Sequence, residues 1–276
     1  MNIAFKVNVT SIKGLNQGLP ALLELFDTYE IKADFMFSFG IEDNQGMIKR
    51  LLCRTDKMVQ QNKQLFLDVS AKGHYAGIYS YNPKKWQKKI NNAKAKWVDQ
   101  NMEQGAAAFI QVFERSPKSH SAANWQIHPE MFLKEAELSM LYASDTRGKY
   151  PFYPVYCGKR CNIPQIPVTL STFDELLAQD QWTLDNVHQA LFDEIQYILP
   201  YGHVFNLNAE AGIDLIEVLE KVLTVWQGCR AKFIALRDIY QGLDLEQIPY
   251  HDVGWGEQAG QAGFVAMQSI KVDIKQ

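Results

Sequence analysis

Cysteine is scarce in this chain, with only Cys53, Cys157, Cys161 and Cys229 among 276 residues. Four scattered thiols exclude a disulfide framework and fit a reducing compartment. Cys157 and Cys161 have no second ligand pair at zinc spacing, so no structural zinc is expected there. Excess charge is also lacking, because 28 basic residues face 31 acidic ones for a net charge of −3. Nucleic acid is not an expected partner on that balance, and any anionic surface would need a local basic patch. No apolar stretch reaches the roughly 20 residues of a membrane span. The opening "MNIAFKVNVTSIKG" lacks the basic start, apolar run and cleavage site of a secretory signal. The expectation is a soluble, cytoplasmic protein. Neither a Gly-rich phosphate loop nor a Gly-x-Ser-x-Gly elbow occurs, and no two of the six histidines stand at metal-ligand spacing.

What the chain does have is alternation. Ile3, Phe5, Val7 and Val9 alternate with Ala4, Lys6, Asn8 and Thr10 in the period of a strand, and "KGLNQG" predicts a Gly-punctuated loop after it. Leu19, Leu22, Leu23 and Phe26 stand at helical spacing, and "ADFMFSFG" predicts a second strand with Phe35, Phe37 and Phe39 on one face. Further strands are expected at "YAGIYSY", "HSAANW", "LYASD", "QIPVTL", "HVFNLNA" and, last, "AKFIAL". Helices fall between them, including a Lys-rich one from about Lys84 to Glu114, bent near Gly105. That run reads first as a solvated helix face and second as a basic surface for phosphate or acidic lipid head groups, with Trp86 and Trp97 nearby. About eight strands alternating with helices predict a parallel sheet, and one domain of this length favours a barrel, whose sites lie at the C-terminal strand ends.

Those strand ends carry little that titrates near neutral pH. The first offers Asn8 and Thr10, the third Tyr79, Asn82 and Pro83, "NWQ" offers Gln126, and "NLNAEAG" offers Asn208 and Glu210. No Asp, Glu or His stands within Lys6–Lys13 or Tyr75–Lys89, so a shift of register by one residue supplies no ligand.

The segment "IAFKVNVTSIKGLNQGLPALLELFDTYEIKADFMFSFGIEDNQG" resembles the start of the formamido-arabinose-phosphoundecaprenol deformylases, a branch of the NodB-type polysaccharide deacetylases. The resemblance resumes at "SAANWQ", runs through "YASDTRGKYPFYPV", "IPQIPVTLSTFDELL" and "VFNLNAEAG", and ends in "GWGEQAGQAGFVAMQSI", with a shortened segment between Gly46 and His74. It implies an α/β fold, a distorted (β/α) barrel of about seven or eight parallel strands. The implied domain spans residues 1–276, with about 240–276 as a C-terminal extension packed on it. It also implies a metal site that removes a formyl or acetyl group from an amino sugar nitrogen. At the positions implied for that chemistry this chain differs throughout. Asn8 and Thr10 stand for the base and the metal-ligating Asp, Tyr79 and Pro83 for two metal-binding histidines, Gln126 for the arginine that orients the base, and Asn208 for the general-acid histidine.

Losing a general base costs about 10²–10⁴ in rate, and losing the metal removes the activated water as well. The expectation is therefore a pseudoenzyme with no metal or other cofactor. Expected partners are a sugar-phosphate, an undecaprenyl-linked amino sugar or another protein, in the cytoplasm or peripherally at the inner membrane. Ser144, Asp145 and Arg147, with Glu210, are the ligand-binding candidates, Arg147 because its fork suits a phosphate or carboxylate. The alternatives are an active carbon-nitrogen hydrolase acting on envelope glycan or lipid A amino sugars, and a metal-free enzyme using Tyr79, Lys84 and Glu210.

Overall fold

The computed structural model describes residues 1–41, 54–261 and 263–273. Cys53 and the start of the Gly46–His74 segment lie outside the described residues. The strands are β1 (Asn2–Val9), β2 (Ala33–Phe37), β3 (Tyr75–Tyr79), β4 (Ser119–Ser121), β5 (Tyr142–Ala143), β6 (Tyr153–Tyr156), β7 (Lys159–Arg160), β8 (His203–Asn208), β9 (Lys232–Ala235), β10 (Tyr250–Glu257) and β11 (Phe264–Val272). Seven of them form a parallel sheet in the order β5-β4-β3-β2-β1-β8, with β9 on the first half of β1. The expected strand "QIPVTL" is the bridge that closes the ring. Ile166 donates its backbone N–H to Ala143 on one side, and Thr169 and Leu170 donate theirs to Val204 on the other. The distorted barrel follows from this closure.

β1 is buried on both faces from Ile3 to Val9, as the strands of a parallel sheet are, although its sequence alternates. Its odd-numbered side chains Ile3, Phe5, Val7 and Val9 pack outward against the helices. Phe5 alone meets Phe26 and Phe233 edge-on with ring centroids 5.5 Å away. The even-numbered Ala4, Lys6 and Asn8 face the barrel interior, as the period of two requires. Phe35, Phe37 and Phe39 share the outer core as expected, and Met36 faces in.

Three local expectations are corrected. The "KGLNQG" stretch is helical over Gly14–Gly18 and continues into the helix Leu19–Thr28. Its glycine marks a close approach, because a Cβ on Gly18 would stand 1.9 Å from the Ala209 carbonyl oxygen. The Lys-rich helix breaks at Ala93 and Lys94, both extended, between the helices Pro83–Lys89 and Ala95–Phe113; Gly105 lies inside the second, buried against β3. Lastly, β9 is not the final strand. β10 and β11 form a hairpin that joins β6 and β7 in a second sheet, ordered β11-β10-β6-β7. The hairpin is laced to the barrel at Arg147, whose N–H donates to Ala266 and whose carbonyl accepts from Gln268, both at 2.8 Å. Gly254 and Gly256, which face Met267 and Val265 of β11, break the apolar alternation of β10, so no local pattern marks it as a strand.

Candidate functional site

A cavity of about 220 Å³ opens at the C-terminal strand ends, with Lys6 and Asn8 from β1, Tyr79 from β3, Trp125 after β4, and Asn206 and Asn208 from β8 among its lining residues. Asn8 Nδ2 donates to Asn206 Oδ1 at 2.9 Å, while Asn8 Oδ1 is buried without a partner. Such an acceptor costs about 1–3 kcal/mol unless something donates to it. Asn208 Nδ2 donates to Asp174 Oδ2 at 3.2 Å, and Asp174 completes that wall.

Lys6 is the group that sequence reasoning passed over. It is 1% exposed, and its Nζ donates to Ser121 Oγ and to the Ser144 carbonyl, each at 3.0 Å. Burial lowers its pKa to about 7, with Asp145 holding it up and Arg147 pressing it further down. The signal was present in the sequence, since a lysine on the polar phase of a strand buried on both faces must point into the barrel.

The positions assigned to metal and catalysis by resemblance do not form a ligand set. Thr10 lies beside a neighbouring hollow of about 470 Å³ that it shares with Asp174 and Glu210. Tyr79 is 5% exposed; burial raises its pKa, and its hydroxyl accepts the Asn124 N–H at 3.0 Å. Pro83 has no donor atom and starts the helix Pro83–Lys89, capped by Asn82, which accepts the Lys85 N–H at 2.9 Å. Gln126 turns from the cavity to donate to the Phe264 carbonyl of β11. These residues do not fit a metal ion of the deacetylase kind. Lys84 is exposed on its helix and outside the cavity, and Glu210 accepts from Ser11 in the loop after β1.

Ser144, Asp145 and Arg147 are buried behind the cleft. Arg147 donates to the Leu170 carbonyl at 2.7 Å, pairs with Glu175 at 3.2 Å and stacks over Trp125. Glu175 in turn accepts the Thr172 N–H at 2.9 Å in a capping box. The arginine therefore fixes the helix start that carries Thr172 and Asp174 into the cleft. Asp145 is spent on the Ala122 N–H at 2.6 Å, on Gln165 at 2.9 Å and on His120 at 3.0 Å.

His120, Glu135 and Asp145 are the one grouping of three metal-ligating side chains among the described residues. His120 alternates with Ser121, which bonds Lys6, and so faces away from the barrel interior; its Nδ1 lies 2.8 Å from Glu135. Burial would lower the imidazole pKa, but the two carboxylates overcome it and raise it to about 9. His120 Nδ1 stands within hydrogen-bond distance of both carboxylates, and none of the three lines the cleft.

No family model matches the chain. It is 23% identical to a Shewanella sediminis protein named as a 4-deoxy-4-formamido-L-arabinose-phosphoundecaprenol deformylase, over 98% of this chain and 96% of that one. A Mycobacterium smegmatis structure described as a polysaccharide deacetylase superposes with a TM-score of 0.66 at 14% identity, covering 90% of this chain and 91% of its own. A carbohydrate-esterase family 4 pseudoenzyme from Bacillus anthracis superposes with a TM-score of 0.57 at 12% identity, over 91% of this chain and 69% of that one. The chain thus has the (β/α) barrel of the NodB-type polysaccharide deacetylases, and in sequence it resembles their deformylase branch from end to end.

Proposed function

We propose that this chain is a non-catalytic member of the deacetylase fold that binds an amino sugar carried on a phosphate or an undecaprenyl phosphate. The observation that supports the reading is the chemistry of the residues at the positions that the resemblance assigns to the reaction. Thr10, Tyr79 and Pro83 supply no metal ligand set, Asn8 and Asn208 offer amides in place of a base and an acid, and Gln126 is committed to β11. The cleft is about 220 Å³ and polar: Lys6 and the amides of Asn8, Asn206 and Asn208 present donors and acceptors for sugar hydroxyl and amide groups. The lipid-linked sugar named for the Shewanella relative supports that ligand class.

The test is elemental analysis of protein purified from medium supplemented with zinc, nickel, manganese and cobalt, paired with an assay for formate or acetate release from N-acylated amino sugars. Substoichiometric metal and no release are expected. Stoichiometric metal together with deacylation would overturn the proposal and favour the active hydrolase.

A further inference from the structure

Residues 84–96 carry six exposed lysines, Lys84, Lys85, Lys88, Lys89, Lys94 and Lys96, and no acidic residue. Apart from Lys85, none has an ion-pair partner among the described residues. This face is strongly positive on a chain of net charge −3, which makes it the local basic patch that the overall balance does not supply.

Trp86, on the same helix, is buried and belongs to the core. The aromatic groups beside the lysines come from the hairpin. Trp255 of β10 is 41% exposed and Phe264 of β11 is 55% exposed. Together with Gln87, Lys88 and Asn91 they line a groove of about 430 Å³. Asn124 lines both this groove and the cleft, so the two openings are neighbours.

We propose that this face docks on an anionic phospholipid bilayer, with the lysines among the head groups and Trp255 and Phe264 at the level of the interface. Clustered lysines bind anionic lipid by charge, and exposed aromatic side chains beside them anchor at the boundary between head group and acyl chain. A nucleic acid is the less fitting partner, because residues 84–96 contain no arginine to fork onto phosphate or base edges. Docked this way, the cleft mouth lies next to the membrane surface. The inference rests on the helix and hairpin surface, so deacylation or metal found in the cleft would leave it standing.

The experiment is co-sedimentation of the intact chain with vesicles of about one-third phosphatidylglycerol in phosphatidylcholine, against pure phosphatidylcholine vesicles and a single-stranded oligouridine. Binding is expected to the anionic vesicles only and to weaken with added salt. Each lysine at such a surface contributes about fivefold in affinity, so Lys88→Glu with Lys89→Glu should lower binding at least tenfold. Trp255→Ala with Phe264→Ala should lower it at unchanged salt dependence, and circular dichroism of both variants verifies their folding. No binding to anionic vesicles at low salt, wild-type binding by both folded variants, or binding confined to the oligouridine would each overturn the proposal.

Discussion

Lys6 and His120 titrate against each other over the same pH window, so removing either should expose the other. Folded Lys6 is lowered from 10.5 to about 7, chiefly by burial. On His120 burial acts in the same direction, but Asp145 and Glu135 outweigh it and raise the imidazole from 6.5 to about 9. Between pH 7 and 10.5 an unfolded lysine holds a proton that folded Lys6 has released, so Lys6 makes stability rise with pH. The His120 contribution is fully present below pH 6.5 and is lost as pH climbs through about 9, so it makes stability fall. Each full proton is worth about 1.4 kcal/mol per pH unit, and from about pH 7 to 9 the two slopes oppose and largely cancel.

From this pair the wild-type chain should therefore show little change in urea stability across that interval. Lys6→Met should leave a decline of up to about 3 kcal/mol, and His120→Gln a rise of similar size. Urea unfolding of the three proteins at about pH 7, 8 and 9, followed by far-ultraviolet circular dichroism, reads the slopes directly. Equal slopes in all three, or signs opposite to these, would refute the placement of a buried lysine amine and a buried imidazolium on the two faces of one sheet.

Arg147→Ala should cost about 3–5 kcal/mol in urea unfolding, because it leaves Glu175 buried without its cation; an unchanged midpoint would remove the structural role assigned to the arginine. Gly18→Ala should destabilise by at least about 1–3 kcal/mol, since its Cβ would meet the Ala209 carbonyl at 1.9 Å, whereas Gly105→Ala, with Ile78 Cδ1 at 3.8 Å, should be neutral or stabilising by about 0.5–1 kcal/mol. Similar thermal midpoints for these two glycine variants would contradict the close contact at Gly18.

The ring of parallel strands is legible in the sequence, because the alternation of apolar and polar residues is a local property of the chain. The phase of β1 alone puts Lys6 and Asn8 on one face, the face that lines the barrel interior. Residues at the C-terminal strand ends were likewise legible, and Asn8, Tyr79 and Asn208 do meet in one cavity. Which of them face it is set by long-range packing. Gln126 turns to β11 and Arg147 to Glu175, contacts set by segments 138 and 28 residues away that no local pattern encodes. The hairpin β10–β11 is likewise hidden, since its glycines interrupt the alternation and its anchoring on Arg147 brings together segments far apart in the chain. Charge state needed the fold most of all. Lys6 and His120 are ordinary residues in the chain, and their shifted protonation comes from burial and from carboxylates that approach only when β4, β5 and the helix Pro129–Glu137 come together.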